Sequence, residues 1–312
     1  INGNVYGNTY DNNLLPDSTV SDFIWVYGSE NDQSEAHVRG DFVYDWLADG
    51  APYKITDPIY FFGAVHDWIP TLRLHPDVEL VFEPNTGLHF GGGTNEWGAL
   101  QADSVLFTSS STETLWDGIH FNNYTRDEDT YIHGCVIENG TKAVYFNNSS
   151  PTISNSVLQN NQNEAIVCDD SSPTITGNHV LNNPIGIDMD PGSQPTITSN
   201  TFTSNQYPIA IWAARIDSNI HSNTYDNNLL PDSTVSDFIY VQGTGSSERL
   251  HEDKTYDWLA DGAPYLITGD LEVWEDGDNN QVAILKIHPG AIVAIDQDKN
   301  IIIGQNSNGD AG

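Results

Sequence analysis

The sequence runs to 312 residues, with 44 Asp plus Glu against 10 Lys plus Arg and a formal net charge of -34 at pH 7. Such a charge repels phosphate backbones and anionic bilayer surfaces, so nucleic acid is disfavoured as a partner, and no apolar run approaches the roughly 18 residues that cross a membrane. Disorder is disfavoured too, because 38% of residues are hydrophobic, 11% are aromatic, and they recur periodically.

Taken in chain order, the first feature is a long repeat. Asn8 to Ile24 returns almost unchanged as Asn223 to Ile239, 215 residues on. Tyr44 to Tyr53 returns as Tyr256 to Tyr265, Leu72 to Pro76 as Leu285 to Pro289, and Gly91 as Gly304. The chain therefore reads as an interior piece of a tandem array. Residues 1–42 are the end of one unit and its junction, 43–254 a complete unit with the following junction, and 255–312 the start of the next. The junctions carry Val20, Phe23, Ile24, Trp25, Val26, Phe42, Val43 and Trp46, which is apolar surface that needs burial and is unlike a flexible linker.

Inside the unit lies a shorter period. Ser150 to Asn155, Ser172 to Gly177 and Gln194 to Ser199 share a Pro-Thr-Ile core, with isoleucines at 153, 175 and 197. A second apolar strand follows each: Ala165 to Val167, Gly186 to Ile187, Ala210 to Trp212. The Asn-rich segments between them suit the left-handed backbone of sharp corners. No helical pattern intervenes, so the strands cannot form βαβ units, but they can wind as coils whose stacking buries Ile153, Ile175 and Ile197 in one inward column. Alternation then sends Thr152, Thr174 and Thr196 outward with Ser154, Thr176 and Thr198, a hydroxyl ladder that resembles ice-binding surfaces and is also what strands ordinarily expose.

The Pro-Thr-Ile turns, the Leu285 to Val293 element, the Pro52 to Thr56 and Pro264 to Thr268 entries, and Trp116 to Phe121 resemble right-handed parallel β-helix repeats of the pectin-lyase-like superfamily, as in large secreted or cell-surface bacterial proteins. The resemblance implies an all-β, right-handed parallel β-helix solenoid with coils of roughly 22 residues nested in a repeat of about 215. It implies an extracellular or cell-surface location and leaves activity open, since this fold carries lyases, hydrolases, adhesins and stalks alike.

Catalytic members of that superfamily cleave acidic polysaccharides. Cys168-Asp169-Asp170 resembles the paired aspartates of its hydrolases, with Asp188 and Asp190 one coil later, but the accompanying Gly-His-Gly and Arg-Ile-Lys elements are absent from the sequence. A lyase would need a basic residue beside calcium, and Arg39, Arg73, Arg126, Arg215 and Arg249 are scattered. No cofactor is required; calcium is the ion that acidic loops would take, and Asp276, Asp278 and Asn280 begin like a calcium loop, without the turning Gly or closing Glu. The histidines form no metal-ligand spacing, and His75 and His288 share one repeated position. Trp46 and Trp258 read as core, and Trp212 as a residue able to stack on sugars. Cys135 and Cys168 read as buried free thiols, with a disulfide not indicated.

The sequence thus describes a non-enzymatic rod or fibre of tandem β-helix units, a stalk, filament, sheath or adhesin, whose partners are copies of itself joined in tandem or head to tail. The alternative is a carbohydrate-active domain with surface glycans as partners. A cleft shared by Asp169, Asp188 and Asp190 with adjacent aromatics would favour the alternative, and a smooth ladder the rod.

Overall fold

The computed structural model describes residues 5, 7–11, 13, 14, 21–27, 36–63, 68–111, 113–242, 249, 250, 254–274 and 282–304. Its strands are three to six residues long in nearly every case and pair only in parallel. Three long sheets run side by side, with nine, eleven and eight strands, and the chain visits them in rotation, laying one strand on each before it returns. The protein is a parallel β-helix.

Register is set by the inward residues. Ile132, Ile153, Ile175, Ile197 and Ile220 pair in sequence down the eight-stranded sheet and are each at most 1% exposed. On the eleven-stranded sheet the inward column holds Phe61, Phe90, Phe121 and Phe146, whose rings stack at 5.0, 5.6 and 5.5 Å. Between Ile153 and Ile197 each rung lies 22 residues after the last. Upstream coils are longer, Leu88 meeting Ile119, and the extra residues sit in loops such as 91–98.

A third strand per coil was not legible in the sequence, where only two apolar strands per turn stand out. Val157–Gln159, His179–Leu181 and Thr201–Thr203 belong to the nine-stranded sheet, and each turns a single side chain inward, namely Leu158, Val180 and Phe202. One apolar residue between polar neighbours makes no visible run.

The corners hold polar side chains in ladders, and here the Asn residues divide into two roles. Asn160, Asn182 and Ser204 have φ of 56°, 53° and 58°, the left-handed corner conformation. The residues that follow them, Asn161, Asn183 and Asn205, are buried. Each sends its backbone N–H to the Oδ1 of the next Asn at 3.0, 3.1 and 2.9 Å, and its Nδ2 to the same oxygen, so the amides climb the corner through Asn228 to Asp237. A second ladder runs through Asn178, Asn200 and Asn223 to Asp261. Ser149, Ser171 and Ser193 make a third, through N–H to Oγ bonds. Burial of polar groups is tolerated because nearly every donor meets an acceptor one coil away.

The repeated segments fold alike. Asn8 N–H and Nδ2 and the Tyr10 hydroxyl donate to Asp49 at 2.9, 2.8 and 2.9 Å; Asn223 and Tyr225 do the same to Asp261 at 2.8, 2.9 and 2.7 Å. Trp46 lies on Tyr53 and Trp258 on Tyr265, each at 5.0 Å, and both tyrosines donate to a carbonyl six residues upstream at 2.7 Å. His75 and His288 each meet an aspartate, Asp45 and Asp257. Trp46 and Trp258 are core residues as expected, whereas Phe42 and Val43 are exposed.

One relation between the copies is a rotation of faces. Ile24–Val26, Tyr53–Ile55 and Glu79–Phe82 begin the nine-stranded sheet, but their sequence equivalents Ile239–Gln242, Tyr265–Ile267 and Val293–Ile295 extend the eleven-stranded one. The eleven-stranded face is thus continued by strands whose equivalents in the first copy lie on the nine-stranded face.

Candidate functional site

The outward side of the eleven-stranded sheet carries the aspartates singled out from sequence, together with a row of polar and aromatic side chains that the sequence did not single out. Its central row reads Tyr60, His89, His120, Tyr145, Val167, Asp188, Ala210 and Tyr240 in successive rungs. The first four are rings in mutual contact, Tyr60 on His89 at 4.4 Å, His89 on His120 at 4.6 Å, and His120 edge-on to Tyr145 at 5.6 Å. Burial, with the neighbouring His120 charge, lowers the His89 pKa to about 4, so this imidazole is neutral near pH 7. The row then drops to Val167, Asp188 and Ala210. Where the side chains shorten, a groove of about 400 Å³ opens, bounded by Lys142 and Tyr145 on one side and by Trp212 and Gln242 on the other.

Three carboxylates line this groove: Asp169, Asp188 and Asp190. Asp169 accepts the Tyr145 hydroxyl at 2.8 Å, and burial raises the Tyr145 pKa to about 12, with the hydrogen bond to Asp169 and its charge adding to the rise. Asp190 Oδ1 accepts the Asp170 N–H at 3.0 Å and the Ser193 hydroxyl at 2.5 Å. Asp170 itself is a left-handed corner residue with φ of 48°, in the same place as Asn148 one coil earlier. Two of the aspartates singled out by resemblance therefore build the corner. Asp188 differs: burial raises its pKa above the ordinary carboxylate value, with the Glu164 charge adding to the effect. Lys142, the cation at the rim, pairs with Glu164 at 3.3 Å. Trp212 is half-buried and lines the groove.

Asp169, Asp170 and Asp190 each offer an oxygen within 4.8 Å of the others, the one cluster among the described residues that could hold a metal ion. Asp276, Asp278 and Asn280, the calcium loop expected from sequence, lie outside the described residues. Cys135 and Cys168 are free and buried, and burial pushes the Cys135 thiol up to about 11 and Cys168 higher still. The hydroxyl ladder is in place, with Thr152, Thr174 and Thr196 in register and Thr198 donating to Thr176 at 3.1 Å.

All-parallel sheets wound in coils define a right-handed parallel β-helix repeat protein, of the kind the turn motifs resemble. Residues 89–237, just under half of the chain, match the family described as NosD: Periplasmic copper-binding protein (NosD), which supports an extracellular or periplasmic location. No curated protein matches the chain, and no solved structure does. Copper favours imidazole, thiolate and thioether ligands, and the cluster of three aspartates does not fit it. Both thiols and the single methionine, Met189, are buried in the core, and the cluster of metal-capable side chains is entirely carboxylate, a set suited to hard cations.

Proposed function

We propose that this chain is a non-enzymatic, extracytoplasmic rod, in which tandem units continue one β-helix and the function is mechanical: a stalk, fibre, sheath or adhesin displayed at the cell surface. The observation that carries the reading is the junction. Asn223 and Tyr225, from the end of one unit, are clasped to Asp261 of the next, and Ile239–Gln242 pairs with Tyr207–Trp212 on one side and Tyr265–Ile267 on the other. A flexible linker would make no such ladder, and a hinge would cut the core that runs through it. Repetition of the same clasp at Asn8, Tyr10 and Asp49 supports a rule of assembly. Solution scattering of the full chain tests this: one stiff, elongated particle is expected, and two bodies at variable separation would refute it.

The groove favours a second reading. Asp169, Asp188 and Asp190 share a cleft with Tyr145 and Trp212, which is the arrangement a glycan-binding site needs: ring faces for sugar stacking and carboxylates that accept hydroxyls. Uronate polymers would meet like charge there. On this reading the groove takes neutral or amino glycans along the rod, and Trp212→Ala abolishes glycan retention on a carbohydrate array without altering the melting curve. Retention unchanged by that substitution would remove the reading and leave the rod.

A further inference from the structure

One segment of the repeat is identical in both copies while the core beyond it has changed. Asn8 to Ile24 and Asn223 to Ile239 agree at every position, yet further along the same two copies Leu74, Leu80, Phe82 and Phe90, all buried, are matched by Ile287, Val293, Ile295 and Ile303. The copies have diverged even where packing constrains a residue most, so common origin alone does not account for the unchanged segment.

In the second copy this segment forms an arm, residues 227–237, at the corner between Thr224–Asp226 and Ile239–Gln242. Most of its residues have tasks within the arm. Asn228 donates twice to Asp237, at 3.0 and 2.7 Å, and the Ser236 N–H donates to the Asn228 carbonyl at 2.7 Å. The Leu230 N–H donates to the Thr234 carbonyl at 2.9 Å, Asp232 accepts the Thr234 N–H at 3.0 Å, and Asn227 and Ser233 hold left-handed φ of 54° and 67°. Leu229 and Val235 have no such task. They face each other across an antiparallel bridge, which sets both side chains on one side of the arm, and they are 42% and 60% exposed. Exposed loop positions ordinarily vary. Here an apolar pair is kept in both copies and turned to solvent, with Phe238 against Tyr240 at 6.1 Å at the base. The first copy repeats that base: the Ser21 N–H donates to the Asn13 carbonyl at 2.7 Å, Asn13 donates to Asp22, Phe23 lies against Trp25 at 6.3 Å, and Leu14 is 59% exposed.

We propose that the arm is a lateral contact between rods, in which Leu229 and Val235 of one copy of this chain pack on the same pair of a second copy about a two-fold axis. The proposal rests on the rod reading and adds sideways association to it. Two observations select a second copy as the occupant. Each unit presents the same arm, so the partner meets the rod at the rod's own period, and a neighbouring rod has that period by construction. The two arms also leave from different corners, one leading into the nine-stranded sheet at Ile24 and the other into the eleven-stranded sheet at Ile239, so contacts radiate to neighbours on more than one side. A single pair of arms is weak. Two aliphatic side chains with rings at their base fall far short of the roughly 1,200 Å² of a stable interface, and strength comes from repetition along the array. The net charge of -34 opposes approach, so salt strengthens this contact by screening, whereas salt would release a basic partner.

The test is disulfide capture of the full chain carrying Thr234→Cys, beside a control with Thr174→Cys, an exposed position on the eight-stranded sheet. Cys135 and Cys168 are buried and do not compete. Under diamide, the Thr234→Cys chain should form covalent dimers about tenfold or more faster than the control, as expected when a weak contact raises the local thiol concentration. That advantage should grow with salt, and adding Leu229→Asp and Val235→Asp should abolish it while leaving the melting curve unchanged. A rate ratio near one at low and high salt would overturn the proposal and leave the arm to a partner of other composition. An advantage that survives the two Asp substitutions would overturn it as well. Neither outcome bears on the rod reading, which stands or falls on the junction at residues 223–267.

Discussion

Two adjacent asparagines, Asn182 and Asn183, should respond to substitution in opposite ways. Asn183 is 2% exposed; its Oδ1 accepts the N–H and Nδ2 of Asn161, both at 3.0 Å, while its own Nδ2 donates to the Leu158 and Leu181 carbonyls at 3.1 and 2.9 Å. Asn183→Ala removes the acceptor of two buried donors and a donor of two carbonyls. At about 1–3 kcal/mol for each buried group left unpaired, with partial relaxation, the loss should be about 3–5 kcal/mol. Asn182 has φ of 53° and an exposed side chain whose Nδ2 donates to Asn160 Oδ1, one coil earlier, at 2.6 Å. Asn182→Gly keeps the left-handed backbone available and should cost under about 1 kcal/mol. Urea unfolding of both variants, followed by tryptophan fluorescence and by exchange of the 153–212 amides, separates them. Equal effects, or a loss below about 1 kcal/mol for Asn183→Ala, would refute the view that the corner ladders hold the coils together.

Ile175→Asp places a charge without a partner in the inward column and should destabilise by about 4 kcal/mol or more in denaturant titrations. Asp261→Asn extends a ladder whose other rungs are already Asn, and should leave the melting temperature near that of the parent, whereas Asp261→Ala should lower it sharply by stranding Asn223 and Tyr225. Burial raises the Asp261 pKa in the folded state, so the folded chain binds that proton more tightly, and stability from this group rises as pH falls from the folded pKa toward the unfolded one; Asp261→Asn should remove that rise in a pH series of melts. Asp257 behaves oppositely: hydrogen bonds from His288 and Lys286 lower its pKa, and the stability they give should be lost as pH drops through the folded value, an acid-side loss that Asp257→Asn abolishes. Incubation with polygalacturonate or alginate should release no product, with product release abolished by Asp169→Ala as the result that would reverse the assignment of a non-enzymatic role.

The inward column at Ile153, Ile175 and Ile197 was legible because apolar residues flanked by Pro, Thr and Asn recur at one spacing, and spacing is what a stack of coils converts into register. The nine-stranded sheet was not legible, since His179–Leu181 and its neighbours bury one residue each. The Asn pairs were legible as corners but not as ladders: sequence shows that Asn160 and Asn161 are adjacent, and only the turn of the chain between them separates a left-handed surface residue from a buried one. The groove escaped sequence reasoning for a similar reason. Asp169, Asp188 and Asp190 could be aligned, but the groove also depends on Val167, a small residue whose significance lies in following Tyr145 on the same row. Rotation of the faces between units has no sequence signature, because equivalent strands keep their residues and change only their sheet.

The central claim is that a unit's end is built into the start of the next. Hydrogen exchange of the full chain across 223–242 and 254–267, compared with 150–212, tests it directly. The account predicts slow exchange at the pairing amides of both regions, with the amide of Asn223 protected as strongly as those of Asn200 and Asn205, because all three donate to a side-chain oxygen one coil away. Exchange of the 223–267 amides at the rate of an unstructured linker, while 150–212 stays protected, would contradict it.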